Sequence, residues 1–559
     1  MSCLGTVAIF CESQALDELV FEDRFGRRLN EKAISLVDWE GQIANPAVQV
    51  SIKPPPDATF PAGAVLSSPE PRLYFNEPSQ AGVGGPSKNL SFQNAATQVP
   101  FLVSVFPDRN ADNEEPVLTI RFTAANGMQK TQSIPVRVLD QDKEVPHPFK
   151  VTVNFSQDQT GFFNDGAKRS IIEQAASDWA YFFSDMNLDT VAAQAEQTFI
   201  WNSDGFNSGR HIRNANAYRG FLLYAYGIHS PALRSGGEPS FSGGFQHSGG
   251  TALPLKRSGG VEIETAGNFN ELGWFLTTSD DDWWKARNFG NEQNDLYSIA
   301  HHEIGHSLIF NPSHTRFGQF KNSGKVEDAQ VLAYQKVHPP IDSFDHLDGS
   351  IDRLSRKGAF GYEYFGEVPR RRWLVTKLDL LVAQAVGYTL RATSAFAPLD
   401  MITTALPRGT VSGYYSQVLA ASGGIPSYEW AVASGTLPPG LFLDSFTGEI
   451  SGQPTAAGTF GFTVRLRDHD RDTPGVSRAL NIRVETTPLE IKTFENEGAD
   501  ARITFTTVAG RSYRVEFRSD LASSWTTLAN NVPGTGDNVI VIDTSMGSQA
   551  RRFYRVIEL

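Results

Sequence analysis

The chain has 559 residues, 40% hydrophobic and 20% charged, which is the make-up of ordinary globular material and too long for one hydrophobic core. Its 49 basic residues against 62 acidic ones leave a net charge of −13, a field that repels nucleic acid phosphates and anionic lipid, so no nucleic acid partner is expected. There is no run of about 18 apolar residues, so no integral membrane segment is expected either.

The start of the chain, residues 1–15, reads as the second half of a signal peptide, with a short apolar stretch and a small-residue end at Ser13-Gln14-Ala15. No Lys or Arg precedes Arg24, where a basic leader region would be needed, and an ordinary strand fits the same residues. The two cysteines, Cys3 and Cys11, both lie here, so the rest of the chain must be held by packing without disulfides.

Residues 16–148 alternate short β-branched and aromatic runs (VQVSI, FLVSVF, VLTIRF, IPVRVL) with Pro, Gly and Asn clusters, the punctuation of a β-sandwich. At KVTVNF the pattern changes. One strand is followed by a helical repeat of Ile171, Ile172, Ala175, Ala176 and Trp179, and an α/β domain is expected over 149–393. It holds further strands at GFLLYAYGI and GGVEIET, the latter read as an edge strand. Its last helix has Thr376 as N-cap, Asp379 three residues on and Gly387 as its stop. All-β patterning resumes in 401–486 and in a small terminal β-domain, 488–559.

The chemistry is carried by SIAHHEIGHSLIFNPSHTRF, Ser298 to Phe317. In His302-Glu303-Ile304-Gly305-His306, an HExxH motif, a helix of about 100° per residue projects both histidines from one face with Glu303 beside them. Two imidazoles so placed can share a tetrahedral Zn2+, and the carboxylate can reach a water bound to it. Leu296, Tyr297, Ala300, Ile304 and Leu308 form an apolar stripe on the other side, with Asn294 or Asp295 as N-cap. His301 projects about 100° away from the motif face and is read as a packing or supporting residue. A catalytic zinc takes three protein ligands and leaves one position open, so a third ligand is required. His314 and His346 are the candidates. His314 follows Asn311, which tolerates a left-handed turn, but lies two residues past the compact ligand position, a shift that would rotate the helix exit by about 200° and argues against it.

AHHEIGHSLIF resembles the metzincin metallopeptidases, although Ile309 stands at their glycine position and Pro312 at their compact third-ligand position. The stretch from VLAYQKVHPPIDSFDHLDG through FGYEYFGE to KLDLLVAQAVGY is similar to the leishmanolysin-like branch, in which the third histidine returns from an inserted segment. That resemblance implies His346 as the third ligand and sets Phe365 in place of the family's turn methionine. It also implies GGVEIET as a strand that pairs with extended substrate. Residues 409–485, with PPGL, TGEISGQPT and AGTFGFTVRLRD, resemble the immunoglobulin-like repeats of bacterial surface and secreted proteins.

The expectation is a multidomain chain in which an α/β (α+β) metzincin-like domain is flanked by all-β sandwich domains. It is read as a secreted or cell-surface zinc endopeptidase with a protein or peptide substrate and Glu303 as general base. The accessory β-domains are read as binding cell surface or matrix. The rival from another class is an adhesin or matrix-binding protein with an inactive peptidase-like domain; a zinc hydrolase acting on something other than peptides is another. The N-terminal domain stands where an inhibitory pro-region would, but residues 16–148 hold no cysteine to block a zinc. SDDDWW (Ser279 to Trp284) reads as a solvated acidic turn, with calcium the less favoured use, and Arg370-Arg371-Arg372 as a solvated face or a carboxylate contact.

Overall fold

The computed structural model describes residues 18–30, 32–76, 84–143, 150–184, 190–200, 210–228, 257–264, 273–279, 294–312, 314–343, 345–347, 352–355, 372–470, 472–486, 488–508, 510–547 and 551–559. The signal-peptide segment with both cysteines, residues 280–284, the FGYEYFGE block with Phe365, and Arg370 and Arg371 lie outside them. The chain divides into two compact units, Met1–Ala397 and Pro398–Leu559. It is mostly β-sheet with few helices, and no helix among the described residues is long and apolar enough to cross a membrane.

The first unit opens with two five-stranded sheets. One runs in the order Val20–Asp23, Val48–Lys53, Val99–Val105, Leu73–Asn76, Gly84–Gly85. The other runs Ile34–Asp38, Gln129–Asp140, Val117–Thr123, Ala62–Ser67, Ser87–Phe92. Period-two patterning sorts their side chains: Leu118, Ile120 and Phe122 are fully buried while Val117, Thr119, Arg121 and Thr123 between them are not. Phe21, Ile52, Phe101 and Phe92 join them in the core.

A parallel three-stranded sheet follows, ordered Val151–Asn154, Phe221–Ile228, Ser258–Glu264. All eight residues of the middle strand are buried, as a parallel strand covered on both faces requires. Helix α1, Gly166–Tyr181, is N-capped by Asp165 and buries Ile171, Ile172, Ala175, Ala176 and Trp179. It packs against α2, Leu296–Leu308, whose stripe of Leu296, Tyr297, Ala300, Ile304 and Leu308 is wholly buried. Among the described residues, three short α-helices follow: α3, Thr315–Ser323; α4, Ala329–Gln335; and α5, Lys377–Val386. Thr376 and Asp379 form a reciprocal capping box at α5, and Gly387 ends it.

The sandwich is joined to the helical part by main-chain bonds. Ile43 bridges Val375 in parallel, Ala44 N–H donates to Val375 O at 2.8 Å, and Ala47 N–H to Leu354 O at 3.0 Å. Glu40 N–H donates to Ser394 Oγ, and Ser394 N–H returns to Glu40 Oε2.

The second unit holds a four-stranded sheet and a three-stranded sheet closed over Trp430, Ile450, Val464, Leu466 and Ile482. Gly448 sits at φ 73°, and a Cβ there would meet the Trp430 indole at 2.7 Å, so the TGEI turn needs glycine for both backbone and packing. Two further three-stranded sheets enclose Ile503, Phe505, Tyr513 and Val515.

Candidate metal centre

Helix α2 begins at Asp295, whose carboxylate accepts from Ser298 N–H and so satisfies one of the open donors of the first turn. The same carboxylate takes two bonds from Arg372, at 3.2 Å each, with both side chains fully buried. Two more Arg372 donors go to Thr277 O and Ser279 O. Of the arginine run, Arg372 is therefore a buried carboxylate contact. Its neighbour Trp373 donates its N–H to Ser298 Oγ and lays its indole 5.4 Å, centroid to centroid, from the His302 ring.

One turn apart on α2, His302 and His306 bring their Nε2 atoms to 3.2 Å. His346 arrives from a tight loop in which Ile341 bridges Leu347 and Asp342 and His346 exchange main-chain and side-chain bonds. Its Nε2 lies 3.2 Å from that of His302 and 3.3 Å from that of His306. Three imidazole nitrogens each about 2.0–2.1 Å from a tetrahedral centre stand about 3.3–3.4 Å apart, so the triangle fits one ion and leaves a fourth corner. The outer nitrogens of two of the rings have acceptors: His346 Nδ1 lies 3.1 Å from Asp342 Oδ2 and His306 Nδ1 2.9 Å from Phe310 O. Both acceptors hold a proton on Nδ1 and turn the Nε2 lone pair inward. Glu303 is buried beside them, with Oε1 3.8 Å from His302 Nε2.

His314 is elsewhere. It is fully buried at the N-cap position of α3, its ring 6.2 Å from that of Tyr388, and is not in the cluster. The chain leaves α2 at Ile309, φ −129° and ψ −61°, and turns at Asn311, whose carbonyl accepts the His314 N–H, before it restarts as a helix.

His301 packs under the site. Its Nδ1 faces Tyr297 O at 3.1 Å and its Nε2 faces Asp178 Oδ2 of α1 at 3.0 Å, while Trp179 Nε1 donates to His301 O. Tyr297 Oη donates to the same Asp178 carboxylate and receives Arg109 Nη2 at 2.5 Å. Burial works against ionisation of Asp178, but the hydrogen bond and charge of His301, the charge of Arg109 and the Tyr297 hydroxyl outweigh it and hold its carboxyl below the usual value.

A second acidic group, Asp38, Asp108 and Asp140, also brings carboxylate oxygens within 4.8 Å of one another. Arg72 already supplies the cation there: its Nη1 lies 3.2 Å from Asp38 and 2.7 Å from Asp108, and it also pairs with Glu114. A cavity of about 440 Å³, lined by Gly41, Gln42, Arg109, Asp142, Asp178 and Tyr181 among others, lies at the seam of sandwich and α1, and none of the three imidazoles lines it. The strand Ser258–Glu264 ends the described sheet, with Ser307 Oγ of α2 donating to Gly260 O at 2.7 Å.

Residues 397–483 match the family described as "Putative Ig domain". An immunoglobulin-like domain is present in the second unit. No curated protein matches the chain. Among solved structures, a "putative alpha-galactosidase" of Bacteroides fragilis is similar at 26% identity over 16% of this chain and 18% of its own, with a TM-score of 0.14. Human CDH23 EC21-23 is similar at 13% identity over 29% and 63%, with a TM-score of 0.15. The matched part is thus less than a fifth of the first structure's own length, and neither likeness bears on activity.

Proposed function

We propose that the chain is a secreted or cell-surface zinc endopeptidase whose catalytic part, residues 149–393, is metzincin-like and nearest the leishmanolysin-like branch. The observation that carries this reading is the convergence of His302, His306 and His346 at the separations of three tetrahedral corners, with a buried carboxylate alongside. His302, His306 and His346 would hold the ion. Zinc bound there supplies Lewis acidity and lowers the pKa of water to near neutrality. Glu303 is the proton carrier: it takes a proton from water as the oxygen attacks the scissile carbonyl and returns it to the departing amine. Burial of Glu303 and of two of the imidazoles keeps competing water out and strengthens each charge interaction. The sandwich of residues 16–148, the immunoglobulin-like module 401–486 and the small domain 488–559 place the enzyme at a cell surface or matrix.

The test is metal content with cleavage of a denatured protein by the full chain and by Glu303→Gln. The expected result is one zinc in each and an activity lower by about 10²–10⁴-fold in the variant. Equal inertness with no zinc in either gives the adhesin reading instead. Zinc in both, with no cleavage across a peptide library, gives a hydrolase of another substrate class.

A further inference from the structure

The loop after Val99–Val105 in the N-terminal sandwich is fixed from within by one buried arginine. Arg72 Nη1 donates to Phe106 O at 3.1 Å and pairs with Asp108 at 2.7 Å, and Asp108 N–H donates to Asp38 Oδ2. Gln42 Nε2 adds a bond to Asp108 O at 2.8 Å. The next residue, Arg109, leaves the sandwich. It donates to Tyr297 Oη in the first turn of the histidine helix, lies 3.7 Å from Asp178 Oδ2, and reaches Thr278 O at 3.3 Å. Asp178 in turn binds the ring of His301, the residue immediately before the first ligand. Nearby, Gly41 sits at φ 72°, and a Cβ there would meet the Tyr181 ring of α1 at 2.7 Å, so the two parts approach at glycine contact.

From this run of contacts we infer that Arg109 is a positioning residue for the metal helix, through which the N-terminal sandwich holds α2 in place. The inference takes the metal role of α2 from the reading above, while its physical content, that Arg109 holds α2 in place, does not need the ion. Without the sandwich, Asp178 and Tyr297 would lose Arg109 from their bonding, and the Val375 main-chain oxygen would lose the Ala44 N–H.

The test is hydrogen exchange on the full chain, without added metal and with zinc, for the unaltered protein, Arg109→Met, Arg109→Lys and Tyr297→Phe. Expected is exchange of the Leu296–Leu308 amides faster by about tenfold or more in Arg109→Met and in Tyr297→Phe, with strands 458–467 and 476–485 unaffected. Arg109→Lys, which keeps the charge, recovers part of the protection. With zinc, Arg109→Met weakens binding by about a few-fold, less than the about 10–100-fold that goes with a partner bonded directly to a ligand. Exchange of the Leu296–Leu308 amides unchanged in both Arg109→Met and Tyr297→Phe overturns the inference, as does Arg109→Lys behaving no better than Arg109→Met. If the unaltered chain holds no zinc, the peptidase reading falls and the exchange comparison still decides this one.

Discussion

Asp342→Ala is the sharpest perturbation of the proposed third ligand, His346, that leaves the histidine itself in place. Asp342 Oδ2 stands 3.1 Å from His346 Nδ1 and Oδ1 accepts the His346 N–H at 2.9 Å, so one carboxylate fixes both the ring and the loop that carries it. The side chain is 14% exposed, so water is a poor substitute for it. Carboxylate support of a ligating imidazole is worth about 10–100-fold in metal affinity, or about 1.4–2.7 kcal/mol. Asp342→Ala loses both bonds and belongs near the upper end; Asp342→Asn keeps the shape and one acceptor and belongs near the lower. Zinc affinity measured by competition with a chromophoric chelator reads the difference, with zinc content at saturation showing that one ion is still taken up. Unchanged affinity in Asp342→Ala would refute the argument that this carboxylate sets the ring, and with it the role given to the loop.

Arg372→Met leaves Asp295 buried without its bidentate partner, and the loss of one member of such a pair costs about 3–5 kcal/mol. Chemical denaturation followed by tryptophan fluorescence measures it, and a cost under about 1 kcal/mol would mean that water enters to replace the guanidinium. Glu196 is buried with neither carboxylate oxygen hydrogen-bonded, and burial, opposed by the Arg257 charge, pushes its carboxyl from 4.5 up to about 7. The folded state then holds a proton that the unfolded state releases, so this contribution to stability is full below about 4.5 and is lost as pH rises through about 7. Glu196→Gln flattens that decline, which urea midpoints at mildly acidic and mildly alkaline pH will show; an identical slope in the variant would contradict it.

Local signals were legible in the sequence and long-range ones were not. The stripe Leu296, Tyr297, Ala300, Ile304 and Leu308 and the cap signals Thr376, Asp379 and Gly387 depend on neighbours within a turn or two, and the structure carries them where the pattern puts them. The choice between His314 and His346 depends on where the chain goes after Ile309, which helix periodicity does not determine. The resemblance to the leishmanolysin-like branch pointed to His346, and a signal that reading did not use agrees with it: Asp342 stands four residues before it, as a supporting carboxylate can. Nothing near in sequence marks Asp178 as the partner of His301, Trp373 as the neighbour of His302, or Arg109 as the hand that reaches Tyr297, since those pairs are brought together only by tertiary packing.

Zinc titration of three full-length proteins tests the metal centre most directly: the unaltered chain, His346→Ala and His314→Ala. The account requires one tightly held zinc in the unaltered chain and in His314→Ala, and a loss of tight binding in His346→Ala. Tight zinc in His346→Ala, or its loss in His314→Ala, would contradict the three-imidazole site.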